Sequence, residues 1–278
     1  MRVRCEMSAI RRDDRVLITG ASSGIGRELA RQLGARGCRL ALTGRRGGKL
    51  VEACETAQAA GAKEVLMLCG TVTDLEVVRG HYEMIAHQWD GLDCVILNAG
   101  VGDSENARQF STANYRWTFE TNVFGMCNWL EMVIADMVAN RKGLIVGVSS
   151  PAGWCGLPQT GSYCASKAAV STMLESVRVD LRGTGVDVVI VCPGFVKSEI
   201  TARNDPKDMV MLLETEDGVQ RMLRGIDRRK RVVHFPFPLT HFVRYGLGRM
   251  PRGWYDAVVA RFVKRNKRPY VDESAKEA

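Results

Sequence analysis

The chain has no long hydrophobic run. Nowhere in its 278 residues is there a stretch of the roughly 18 apolar residues that a membrane-spanning helix needs. The first residues hold no apolar run suited to a secretory signal. A cytoplasmic protein is therefore expected. Histidine is scarce: the four histidines, His81, His87, His234 and His241, form no zinc signature, so no metal site is expected. The nine cysteines are odd in number and contain no C-x-x-C pair. They read as small buried hydrophobes in a reducing compartment. Cys155 and Cys164, which flank the candidate site below, leave reactive thiols as the alternative. Internal repeats, low-complexity segments and interdomain linkers are absent. What remains is one domain with a large core, expected to be unstructured at Met1–Arg12 and after Asn266.

Acidic residues are unevenly missing. From Arg221 to Arg268 there are two, Asp227 and Asp256, against 14 lysines and arginines. The whole chain carries +8, so the excess of basic charge belongs to this segment and the rest is net acidic. No nucleic-acid motif accompanies it, and nucleic acid is not expected as a partner. A solvated basic face is one reading. The charges are interleaved with apolar residues, however. Leu239, Phe242, Val243, Leu247 and Met250 fall at helical spacing, as do Trp254, Val258 and Phe262, with Pro251 and Gly253 between the two sets. Two short amphipathic helices are predicted over 236–266. They pack on the chain's own core, cover a substrate pocket, or lie on an anionic membrane surface.

What is present alternates throughout. Strands are predicted near 15–19, 38–43, 64–69, 93–97, 144–149 and 186–192, with helical patterns between. Leu75, Val78, Tyr82, Ile85 and Trp89 repeat at three-four spacing, as do Val170, Leu174, Val177 and Leu181. This pattern argues an α/β fold with a doubly wound parallel sheet of Rossmann type. A catalytic domain is expected over 13–235, with 236–266 as its helical extension. Residues 195–218 read as a substrate lid, made apolar by Met209, Val210, Met211, Leu212 and Leu213; core helix packing is the alternative.

The first predicted strand runs into Thr19-Gly20-Ala21-Ser22-Ser23-Gly24-Ile25-Gly26, and a helix follows with Ile25, Leu29 and Leu33 on one stripe. Strand, glycine turn and helix are the context of a dinucleotide loop. The glycines let backbone approach a pyrophosphate, and the helix N-terminus offers it N–H groups and a positive dipole. The second strand ends at Gly44-Arg45-Arg46. An NAD-preferring chain places an acid there to hold the ribose hydroxyls. Gly44 cannot repel a 2′-phosphate, Arg45 pairs with one, and Ser22 adds a hydroxyl. NADP(H) is the expected cofactor; plain turn charges at Arg45 and Arg46 are the alternative.

Tyr163 and Lys167 are four apart, on one face of a predicted helix. A lysine ammonium beside a tyrosine favours the phenolate, so a lowered Tyr163 pKa is expected. Ser150, at the end of the apolar run Leu144–Val148, brings a hydroxyl. Together they form a proton-transfer group, its electrostatic partner and a hydrogen-bond donor, a set suited to carbonyl/alcohol chemistry.

With Asn98-Ala99-Gly100 after a strand, and with Ser150, Tyr163 and Lys167 in that order, the chain resembles the short-chain dehydrogenase/reductase family over about residues 15–200. The resemblance implies that Tyr163 transfers the proton, Ser150 bonds the substrate oxygen, Lys167 holds the nicotinamide ribose, and Asn122 maintains a water relay toward the lysine. It implies a dinucleotide held by Gly20, Ser22, Ser23, Gly24, Ile25 and Gly26, then by Arg45, Thr71 and Val72, then by Asn98, Ala99 and Gly100. Pro193, Gly194, Val196 and Ser198 would meet its nicotinamide end. Ser198 replaces the family's usual threonine and keeps the hydroxyl. Thr71 stands where the family has an adenine-binding aspartate, and no charge remains there. The implied function is interconversion of a ketone or aldehyde and an alcohol, on an apolar or lipid-like substrate, with a homodimer as the expected assembly. The alternatives are an NADP(H)-binding regulatory or scaffold protein without turnover, and a peripheral lipid-surface binding protein.

Overall fold

Short apolar runs rich in Val, Ile and Leu become strands covered on both faces. The computed structural model describes residues 9–105, 107, 110–202 and 209–262. The strands are Arg15–Thr19 (β1), Arg39–Gly44 (β2), Glu64–Cys69 (β3), Cys94–Leu97 (β4), Gly143–Val148 (β5), Val186–Pro193 (β6) and Val232–Phe235 (β7). They form one 7-stranded parallel sheet in the order β3-β2-β1-β4-β5-β6-β7.

Side chains alternate across this sheet and feed two cores. Val16 and Ile18 of β1 join Leu29 and Leu33 of Gly24–Ala35 (α1), Ala53 of Gly47–Ala60 (α2), and Ile226 of Thr215–Asp227, the eighth α-helix. Leu17 points the other way. It packs with Val78 of Leu75–Trp89 (α3), Trp129 of Gly125–Ala139 and Leu174 of Gly161–Asp180. Ile10 is also fully buried in the first core, so residues 9–12 are ordered, contrary to the expectation for the start of the chain. Met1–Ser8 and the residues after Asn266 lie outside the described residues.

The remaining helices are Thr112–Phe119 (α4), Gly125–Ala139 (α5), Gly161–Asp180 (α6), Glu199–Ala202 (α7), Thr215–Asp227 (α8), Leu239–His241 (α9) and Arg252–Val259 (α10). From β1 the chain winds to β3 and then returns to lay β4 on the other side of β1. That reversal opens a crevice at the C-terminal ends of β1 and β4, the position where such sheets bind ligands. The opposite ends are clamped. The Arg15 guanidinium meets Asp93 at 2.9 Å and Lys142 meets it at 2.7 Å. Burial pushes the Asp93 carboxyl up, but the hydrogen bonds from Arg15 and Lys142 outweigh it and hold the group well below the usual carboxylate range.

After β7 come α9, a π-helical turn at Phe242–Gly246, a 3-10 turn at Leu247–Arg249, and α10. Leu247, Tyr255 and Val259 bury one another beside Cys155. The Tyr255 hydroxyl donates to the Gly156 carbonyl, and the Arg244 guanidinium lies 5.3 Å from the centre of the Trp154 ring. The extension therefore packs on the segment that follows β5. It still leaves Phe237 71% and Trp254 74% exposed. Among the described residues no helix is long and apolar enough to cross a membrane.

Candidate active site

The glycine turn after β1 and the turn after β4 hold each other in shape. Gly20 has φ +66°, and a Cβ there would come within 2.9 Å of the Ala99 Cα. The Thr19 hydroxyl accepts from the backbone N–H of Asn98 at 2.9 Å and of Ala99 at 3.0 Å. In return the Asn98 amide donates to the Thr19 carbonyl at 3.0 Å. Gly26, in the first turn of α1, lies directly against this turn, since a Cβ there would lie 2.1 Å from the Gly20 oxygen.

Ser23 is the N-cap residue of α1, but its side chain makes no capping hydrogen bond. Asp74 and Ser111, by contrast, cap α3 and α4 with their side chains. The first N–H groups of a helix lack intrahelical partners, and here they adjoin a groove bordered by Ser23, Gly24 and Ile25. A dinucleotide pyrophosphate fits this donor set.

The same groove is bordered by Gly20 and Ser22, by Arg45, by Thr71 and Val72, by Asn98, Ala99 and Gly100, and by Ser198. Six residues expected at the cofactor do not border it: Tyr163 and Lys167, which lie at its far end, and four others. Gly26 lies beneath the turn. Pro193 ends β6, the Gly194 N–H donates to the Phe235 carbonyl at 2.7 Å, and Val196 is buried and bridged to Leu213. Two charged residues that sequence reasoning did not assign to the site, Arg46 and Glu199, do border the groove. Gly44 is buried, and a Cβ on it would press to 3.2 Å from the Ser22 Cβ, so a larger residue here would crowd the Ser22 side chain. The Thr71 hydroxyl bonds that of Thr73 at 2.8 Å, which leaves it a neutral contact at the groove wall.

At the far end of the groove the expected catalytic groups converge. Tyr163 and Lys167 sit one turn apart on α6, with the Lys167 nitrogen 5.7 Å from the Tyr163 ring centre. That ammonium donates to the Val148 carbonyl at 2.9 Å. Ser150 caps the 3-10 turn Pro151–Trp154 and accepts from the Ala152 N–H at 3.2 Å; it also hydrogen-bonds the Tyr163 hydroxyl. Asn122 is fully buried in a π-helical turn, Glu120–Phe124, between α4 and α5. Such turns recur at functional sites. A Cβ on Gly100 would lie 3.3 Å from both the Asn122 Oδ1 and the Lys167 nitrogen, and one on Gly102 would lie 2.7 Å from the Tyr163 ring. The loop after β4 is thus where groove and catalytic groups meet.

The expected lowering of the Tyr163 pKa is corrected by the structure. Burial pushes it up to about 12, against a smaller downward pull from the Ser150 hydrogen bond. Burial also brings Lys167 down to about 8. Desolvation penalises the charged form of each group, and the ammonium is spent on Val148 rather than on the phenol oxygen. Tyr163 therefore holds its proton at neutral pH. Cys164 is buried, and burial raises the Cys155 thiol, so neither fits the reactive alternative.

Sequence reasoning also missed Glu105. Its carboxylate accepts from the Ser162 backbone N–H at the start of α6 and from the Asn114 side chain at 3.0 Å. It thereby ties the loop after β4 to the helix that carries Tyr163. No local spacing signals it, because its partners are remote in sequence. In the expected lid, Val210 and Met211 are exposed while Leu213 packs on the core; residues 203–208 lie outside the described residues.

Residues 14–208 match the family model described as short chain dehydrogenase. The chain is 44% identical over 246 residues to an uncharacterized oxidoreductase of Myxococcus xanthus, covering 88% of this chain and 96% of that one. It is 34% identical over 245 residues to 11-beta-hydroxysteroid dehydrogenase A of Sesamum indicum, covering 82% and 70%. Its fold matches that of a short chain dehydrogenase/reductase from Burkholderia phymatum, whose crystal structure is in complex with NAD, with a TM-score of 0.78, 24% identity and coverage of 96% and 100%.

Proposed function

The chain belongs to the short-chain dehydrogenase/reductase family, oxidoreductases acting between CH–OH and C=O with NAD(P), and on that premise we propose that it uses NADP(H) to interconvert a ketone or aldehyde and an alcohol on an apolar, lipid-like substrate. The observation that carries the reading is the hydroxyl pair Ser150–Tyr163 at the end of a groove whose 2′-phosphate corner is lined by Ser22, Arg45 and Arg46. The name of the Sesamum relative, a hydroxysteroid dehydrogenase, supports the apolar substrate class.

A bound nicotinamide supplies the hydride to the carbonyl carbon, or accepts it in reverse. As the C=O π bond breaks, Ser150 donates a hydrogen bond to the substrate oxygen and Tyr163 gives it a proton. An alkoxide is far more basic than a phenolate, so a tyrosine near pKa 12 is a competent acid in the direction of reduction. Lys167 stabilises the phenolate left behind and holds the ribose. Asn122 keeps the loop after β4 in place and supports the relay that returns a proton to Tyr163.

A screen of ketones and aldehydes of increasing chain length and ring number, followed at the NADPH absorbance, tests the reading. Turnover of apolar carbonyls with NADPH is expected; turnover with NADH alone removes the cofactor assignment.

The extension favours a second property, peripheral attachment to an anionic membrane surface. Phe237, His241 and Tyr245 line one exposed side with their rings tilted against one another, at 5.8 Å and 4.6 Å between ring centres. Arg249 caps Tyr245 at 5.4 Å. Aromatics with flanking cations suit the interface of an anionic bilayer.

A further inference from the structure

Glu199 is the first residue of α7 and crosses the groove to reach the phosphate-binding side. Its carboxylate pairs with Arg46 at 2.6 Å and with Lys49 at 2.5 Å, and accepts from the Ser23 hydroxyl at 3.2 Å. The Arg46 guanidinium is shared, because it also donates to Ser22 at 3.2 Å and to Ser23 at 2.9 Å. Burial raises the Glu199 carboxyl, but the hydrogen bonds from Lys49 and Arg46 prevail and keep it ionised at neutral pH. Glu199 is thus held by the Ser23 hydroxyl from the turn after β1, by Arg46 from the turn after β2, and by Lys49 in the first turn of α2.

We propose that Glu199 is a built-in anion standing in for the 2′-phosphate of NADP(H), and that it limits how strongly the protein prefers NADP(H) over NAD(H). The inference rests on the NADP(H) reading above. Of the groups Glu199 touches, Arg46 lines the corner that a 2′-phosphate enters, Ser23 adjoins Ser22 of that corner on the glycine loop, and Lys49 lies just behind Arg46 at the start of α2. Glu199, Arg46 and Lys49 are 47%, 46% and 48% exposed. Ion pairs exposed to this degree are weak and exchangeable. A phosphate carries up to two charges and three acceptor oxygens, so it draws Arg46 away from a carboxylate. NADP(H) then binds against two costs that NAD(H) does not meet: loss of the Glu199 pairs, and repulsion between the carboxylate and the phosphate. The neighbouring backbone need not move. Thr201 anchors the start of α7 through the Ser198 N–H at 2.8 Å and the Val196 carbonyl at 2.9 Å.

The test is titration of NADP+ and of NAD+ into the full chain and into Glu199→Gln, which keeps the size of the side chain and one of its two acceptor oxygens while removing the charge. Tightening of NADP+ by about three- to tenfold is expected, the range of one or two exposed pairs, with NAD+ unmoved. NAD+ binding also reports that the variant has a folded groove. An unchanged or weaker NADP+ affinity overturns the proposal; weaker binding of both cofactors would make Glu199 a clasp over the dinucleotide instead. The two readings fail separately. If the wild type prefers NADP+ and the variant leaves the ratio unmoved, the cofactor reading stands and this proposal falls. If the wild type shows no preference and the variant creates one, the reverse holds. A wild type without preference and a variant without effect remove both.

Discussion

Asn122 and Val101 are joined twice: the Asn122 Oδ1 accepts from the Val101 N–H at 2.7 Å, and its amide donates to the Val101 carbonyl at 2.9 Å. The same amide donates to the Ser166 hydroxyl at 2.9 Å. A side chain in the middle of a helix thus fixes the loop that meets Tyr163 and Lys167. Asn122→Ala leaves both backbone groups of the half-buried Val101 without their partner, at up to about 1 kcal/mol each. A lower Tm is expected, together with a fall in kcat of about tenfold or more. A lower Tm with unchanged kcat would confine Asn122 to the fold.

Tyr163→Phe removes one oxygen from a half-buried ring. The fold and dinucleotide affinity are expected to persist while kcat drops about 10²–10⁴-fold. Near wild-type kcat on a good substrate would sink the assignment of the proton donor.

Lys167 gives the reaction its pH limit. Its pKa is lowered to about 8 by burial, while Tyr163 is raised to about 12. Below the first value the ammonium is charged and Tyr163 protonated. As pH rises through about 8 the ammonium loses its proton, so the kcat for reduction is expected to fall there, well before the tyrosine ionises. A profile measured from pH 6 to 11 that stays flat through 8 and falls only at its alkaline end would place the limit on Tyr163 instead.

Arg45 borders the groove beside Ser22. Arg45→Ala is expected to raise the Kd for NADP(H) about ten- to a hundredfold, the size of one charge-assisted contact, with NAD(H) little affected. Isothermal titration of both cofactors checks it; loss of affinity for both alike would move Arg45 to a structural role.

The extension makes two separable predictions. Tyr255 is buried and bonded to Gly156, so truncation before Phe237 removes the Leu247 cluster, uncovers Trp154 and Cys155 on which the extension packs, and is expected to make the protein insoluble. Trp254 is 74% exposed and contributes nothing to that cluster. Wild type is expected to co-sediment with anionic liposomes and not with neutral ones, less so at high salt, and Trp254→Ser to reduce it. Absence of binding at low salt settles against the membrane.

The strands, the glycine turn and the Ser150–Tyr163–Lys167 set were legible because each is carried by spacing within one element or by a turn at its end. What escaped was long-range. Glu199 meets Arg46 and Lys49 across about 150 residues of sequence, and Glu105 meets Ser162 57 residues away; neither contact leaves a periodic trace. The Tyr163 pKa was misjudged for a related reason. Residue spacing places a lysine near a tyrosine but does not reveal how deeply both are buried, and burial decides the sign. The π-helical turn that holds Asn122 is likewise invisible in a pattern that reads as continuous helix.

The reciprocal bonding of Thr19 with Asn98 and Ala99 carries a consequence for assembly. The two turns that form the mouth of the groove lie 79 residues apart in sequence, and each is shaped by a group from the other. Neither can reach its final form until β1 and β4 have paired. Dinucleotide affinity should therefore emerge late in refolding, as a reporter of sheet closure, and added cofactor should slow unfolding more than it hastens folding.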